Sequence, residues 1–95
     1  MAYKLAYATV LEHPRKVIHV VRVLDALLAD WELGELADEM RERVLAKQGE
    51  HGAAIVVVRG DSKETLRLYG EPYAVNRVRT AMFNAAVRWR PFQLD

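Results

Sequence analysis

Between Glu71 and the terminal Asp95 the chain carries four arginines, Arg77, Arg79, Arg88 and Arg90, and no carboxylate. Asn76, Thr80 and Asn84 fall among them, and Tyr73, Phe83, Trp89 and Phe92 interleave as aromatics. Arginine presents a planar fork of N–H donors that matches carboxylate and phosphate alike. Asparagine and threonine hydrogen-bond to phosphates and to base edges, and aromatic rings can stack on bases. Arg59, Lys63 and Arg67 add the same sign just upstream. A nucleic acid or an acidic protein would suit a surface of this composition. A ligand-free explanation also exists. The arginines can pair with the acidic run Glu35, Asp38, Glu39 and Glu42, and arginines near a helix C-terminus complement the helix dipole. The isoelectric point of about 8.1 lies below the value above about 9 expected of a dedicated nucleic-acid domain.

Other residue types offer less chemistry. There is no cysteine, which removes disulfides, thiolate metal sites and thiol nucleophiles. His13 and His19 stand six apart, off the spacing that puts two ligands on one helical face, and His51 lies in a glycine-flanked loop. Ser62 sits in turn chemistry and is most simply a turn former. Gly49 and Gly52 precede a strand pattern, so no phosphate loop opens a helix. The carboxylates Glu35, Asp38, Glu39 and Glu42 form the solvated face of one helix and are a candidate face for a basic partner. No catalytic, cofactor-binding or metal-binding residue is expected. The run "ELADEM" approaches the second helix of helix-turn-helix regulators, but about a dozen residues to the next strand leave no room for a recognition helix. "GEHG" has the Gly-x-x-Gly form of a KH clamp without the two flanking helices.

The elements that position these residues follow from periodicity. Residues 2–11 fit a strand by alternation and, almost as well, a helical stripe; the strand is the narrow preference. From Pro14, the three- and four-residue spacing of Val17, Val20, Val21, Leu24, Leu27, Leu28 and Trp31 predicts a helix. Gly34 interrupts, and "ELADEMRERVLAKQ" predicts a second helix with Leu33, Leu36, Met40 and Val44 inward. "AAIVVVRGDSKETLRLYG" predicts a hairpin around Gly60-Asp61-Ser62-Lys63. Its first strand is apolar on both faces, so Val56 and Val58, with Tyr69, form a candidate self-association face. Pro72 starts a last helix that runs through Trp89, and "RPFQLD" leaves it at Pro91 as a short edge strand.

The expected fold is therefore a small single α+β domain, residues 1–95. Its helices pack on an antiparallel sheet with a central hairpin, in an order compatible with a ferredoxin-like (β)-α-α-β-β-α-(β) sandwich. Hydrophobic residues at 52% are enough to build a core in 95 residues. The longest apolar run, Ala53–Val58, falls far short of the roughly 20 residues that span a bilayer. A cytoplasmic protein with no membrane segment is expected. Net charge is +2 over residues 1–29, −4 over 30–50 and +3 over 51–95. That partition concerns partners rather than fold. It points to a non-catalytic interaction and regulatory module that self-associates as a homo-oligomer and meets a protein partner. The alternative is a nucleic-acid-binding regulator using Arg77, Arg88, Asn76, Asn84 and Thr80 with Arg59, Lys63 and Arg67.

Overall fold

The computed structural model describes residues 5–12, 16–24, 28–49, 53–60 and 66–92. Its elements are β1 (Leu5–Glu12), β2 (Lys16–Val23), α1 (Asp30–Met40), β3 (Ala54–Arg59), β4 (Arg67–Tyr69), α2 (Pro72–Phe83) and β5 (Arg90–Phe92). A π-helical segment, Arg41–Leu45, continues α1. The five strands form one sheet in the order β4-β3-β2-β1-β5. β2 and β3 are parallel, and the other neighbours are antiparallel.

The α+β class holds, but the helix expected from Pro14 does not form. Lys16–Val23 is a strand, and the central one. The segment "KVIHVVRV" is dense in β-branched residues, which lose side-chain freedom in a helix and pack well on a pleated surface. Ile18, Val20 and Val21 are fully buried because both faces of the strand are covered. An apolar run covered on both faces mimics helical spacing wherever valines fall three and four apart. The hairpin β3–β4 forms as expected but at one side of the sheet, with β4 as the edge. Its turn, including Ser62 and Lys63, lies outside the described residues, as do His13, Pro14 and His51. The ferredoxin-like option is not confirmed. A split βαβ places a further strand between its parallel pair, whereas β2 and β3, joined through α1, pair directly.

Two cores sit on opposite faces. On one, Leu33, Leu36, Ala37 and Met40 of α1 cover Leu5, Val21, Val23, Ile55 and Val57. On the other, Ala74, Val78 and Ala81 of α2 cover Val10, Ile18, Val20, Val56 and Val58. Each fully buried valine or isoleucine contributes roughly 1.5–3 kcal/mol relative to exposure, so β2 and β3 anchor both layers. Gly34 does not interrupt α1. It lies inside the helix, where an added Cβ would stand 3.3 Å from the Tyr69 hydroxyl. At the start of the π-helical segment, the Arg41 guanidinium donates to the Ala53 carbonyl at 2.9 Å and ties the end of α1 to the start of β3.

α2 begins at Pro72, whose missing N–H costs nothing in the first turn. It ends six residues before Trp89, not at it. The Ala86 N–H donates to the Ala81 carbonyl at 2.9 Å and the Ala85 N–H to the Met82 carbonyl at 3.1 Å. This is a Schellman stop, with Ala85 left-handed at φ 51°. Alanines are strong helix formers, which is why the apolar stripe read as continuous through Ala85, Ala86 and Trp89. The stop turns the chain back to the sheet, where Arg90–Phe92 forms the expected edge strand on β1. Among the described residues no helix is long and apolar enough to cross a membrane.

Candidate partner-binding surface

α2 turns Ala74, Val78 and Ala81 inward and leaves Tyr73, Asn76, Arg77, Arg79, Thr80 and Asn84 exposed. The 3.6-residue period does this without further constraint. Thr80 is already engaged, since its hydroxyl donates to the Asn76 carbonyl at 3.0 Å. Arg77, Arg79 and Arg88 make no ion pair with another described residue. For Arg77 and Arg79, pairing with the acidic helix is ruled out by the layers, because α1 and α2 lie on opposite faces of the sheet. The helix-dipole explanation also fails for Arg88 and Arg90, which lie beyond the end of α2.

The basic surface expected across helix and hairpin is divided. Arg59 and Arg67 are cross-strand partners, and Arg59 shares the α1 side with Val57. There the Arg59 guanidinium lies 3.9 Å from the Asp30 carboxylate at the start of α1. Arg67 is exposed, with its guanidinium near the Leu66 carbonyl at 3.5 Å. Arg77 and its neighbours on α2 are on the far side of the sheet. Lys63 lies outside the described residues. The apolar face expected to meet a second copy is not open either: Val56 and Val58 have no exposure and lie beneath α2. Tyr69 is 46% exposed and packs beside Gly34, on the α1 side, so it is not continuous with those valines. Glu35, Asp38, Glu39 and Glu42 are all exposed on α1 and its π-helical continuation.

A second grouping was not legible as such in the sequence. The ladder between β1 and β5 covers Leu5–Phe92, Ala6–Pro91 and Tyr7–Arg90 and then stops. Where it stops, Thr9, Ala86, Arg88, Trp89 and Arg90 line an open cleft of about 380 Å³. The Arg90 guanidinium stands 5.3 Å from the Tyr7 ring centre, and that of Arg22 stands 5.5 Å from the Trp89 ring. Such cation–π contacts help to hold the Trp89 ring at the cleft and the Arg90 guanidinium beside it. Arg22 is fixed further by donating to the Gly60 carbonyl at 3.2 Å. Trp89 is half-buried against the α2-side core.

His19 is a core residue, at 4% exposure on β2. Its Nδ1 shares a hydrogen bond with the Tyr7 hydroxyl, and the Tyr7 ring packs on Phe92 at 5.4 Å between ring centres. Among the described residues no three His, Asp or Glu side chains gather as a metal site. No protein family, curated protein or solved structure matches the chain.

Proposed function

We propose that the protein is a small non-catalytic interaction module that binds an acidic protein partner through the side carrying α2 and the segment leading into β5. One observation carries this reading: Arg77, Arg79 and Arg88 are exposed and make no ion pair with another described residue, and Arg77 and Arg79 lie on the opposite layer from the exposed carboxylates of α1. Among the described residues these guanidinium groups have no acidic partner, and Arg88 and Arg90 line a cleft to which no described carboxylate contributes. The same layering makes a second copy one possible acidic partner, because the α1 layer of one molecule carries Glu35, Asp38, Glu39 and Glu42. Such contacts would be head-to-tail and disperse with salt.

A nucleic-acid reading is favoured by a different observation. Tyr73, Asn76, Arg77, Thr80 and Asn84 share one exposed face of α2 with no carboxylate between them. The two readings separate in one titration. Labelled acidic peptide, DNA and RNA are each followed by fluorescence anisotropy at low and moderate salt, with wild-type protein and with Arg77→Glu/Arg88→Glu. The protein-partner reading expects the peptide to bind in a salt-dependent way and the variant to lose that binding. Binding of DNA or RNA with a steep salt slope that the variant flattens would replace it by the nucleic-acid reading. Equal peptide binding by variant and wild type would remove the arginines from the account.

A further inference from the structure

Where β5 stops pairing, β1 has no strand partner on that edge among the described residues. Proline has no N–H, so within a sheet it belongs where the ladder does not need one. Pro91 therefore suits the non-hydrogen-bonded pair with Ala6, and Leu5–Phe92 and Tyr7–Arg90 are the hydrogen-bonded pairs on either side. Backbone direction alternates along a strand, so the next groups of β1 that point out of this edge are those of Thr9 and Leu11. Their partners in a continued ladder would be Arg88 and Ala86, but residues 86–89 are not strand. Among the described residues no backbone hydrogen bond joins them to β1. The side chains of Thr9 and Leu11 are exposed, Leu11 at 69%. An unpaired edge of this kind is a template for another strand.

We propose that an extended acidic peptide adds as a strand to the outer edge of β1 at Thr9–Leu11, with its carboxylates held by Arg88 and Arg90; this rests on the acidic-partner reading above. Main-chain hydrogen bonds would supply affinity and alternate side chains specificity, as in other strand-addition complexes. Charge selects the occupant. Among the described residues, Arg88 and Arg90 line the cleft with Thr9, Ala86 and Trp89 and no acidic group. A second copy pairing edge to edge through β1 would bring two sets of these arginines together, whereas an acidic strand neutralises them. The volume of about 380 Å³ lies within the range of ligand-binding clefts. Trp89, fixed by Arg22 and the α2-side core, forms a rigid wall. At the other edge of the sheet, β4 has only three residues and its own arginine, Arg67, on the α1 side.

The test uses the full chain and a capped heptapeptide of alternating Glu and Val, compared with the same peptide N-methylated at every central residue. N-methylation preserves the charges but leaves no N–H to pair. The expected result is salt-sensitive binding of the parent peptide and a loss of about tenfold or more on methylation, the equivalent of one to two hydrogen bonds. Amide exchange should slow at Thr9 and Leu11 in the complex. Arg88→Glu/Arg90→Glu should weaken the parent peptide by a similar factor. Equal binding of both peptides, lost in the arginine variant, would overturn strand addition and leave the acidic-partner reading standing. Methylation-sensitive binding with protection at the β4 edge instead of at Thr9 would also overturn the site. Failure of the peptide to bind, with DNA or RNA binding and protecting α2, would overturn both. No binding by any of the three would do the same.

Discussion

Ala85 is where backbone conformation and function meet. A non-glycine residue at φ 51° bears a steric cost of about 1–2 kcal/mol, accepted here because it turns the chain out of α2 and delivers Arg88, Trp89 and Arg90 to the edge of β1. Ala85→Gly should therefore raise stability by about 0.5–1 kcal/mol, net of the extra freedom of glycine in the unfolded chain. A β-branched Ala85→Val should lower it, and urea denaturation reads both. Tyr7 is the second such residue. Its hydroxyl shares a hydrogen bond with His19, a side chain 4% exposed, so Tyr7→Phe should cost about 1–3 kcal/mol. Tyr69→Phe is the control. Tyr69 is nearly half exposed, and its loss of a hydroxyl should stay within about 0.5 kcal/mol in the same denaturation experiment.

At the scale of elements, three features were readable before the fold was known. β1 alternates, the β3–β4 pair has turn residues between two apolar runs, and Pro72 marks the start of α2. β2 was not readable as a strand, because Val17, Val20 and Val21 satisfy helical spacing while the burial that settles the matter comes from α1 on one side and α2 on the other. The end of α2 was not readable either, since nothing in "NAAVRW" breaks a helix; the stop is made by hydrogen bonds back to Ala81 and Met82. β3 gives the sharpest test. Its apolar second face is covered by α2 of the same chain, so Val56→Ala should cost about 1–3 kcal/mol by leaving a cavity. The cost should be the same at low and high protein concentration. A concentration-dependent midpoint would mean that a second copy shares the cover.

At the scale of the molecule, the sheet separates charge. The exposed carboxylates of α1 and the exposed arginines of α2 occupy opposite layers of a body whose shortest extent is 23 Å. Screening at physiological ionic strength falls off within about 8 Å, so the two layers act independently there and interact only at low salt. Replacing Glu35, Asp38, Glu39 and Glu42 by their amides should leave the contribution of Arg77 and Arg79 to acidic-peptide affinity nearly unchanged at about 0.15 M salt and raise it at about 0.01 M. A large gain at the higher salt would show that the acidic layer contacts the peptide directly. The composite basic surface imagined from the sequence fails at this scale for the same reason: Arg59 and Arg67 belong to the α1 side, with Arg59 beside Asp30.

By itself the sequence determined the inventory and its local order. It set the α+β class, the separation of acidic from arginine-rich segments, the edge strand at Pro91 and the exposed face of α2 from Asn76 to Thr80, all of which depend on residue type and short spacing. Tertiary structure decided which layer each charge belongs to, what covers Val56 and Val58, and that Thr9 lies beside Arg88 and Arg90. Those are contacts between residues far apart in the chain. They are set by strand order and by which face each helix covers, and a period of two or of 3.6 residues carries no information about either.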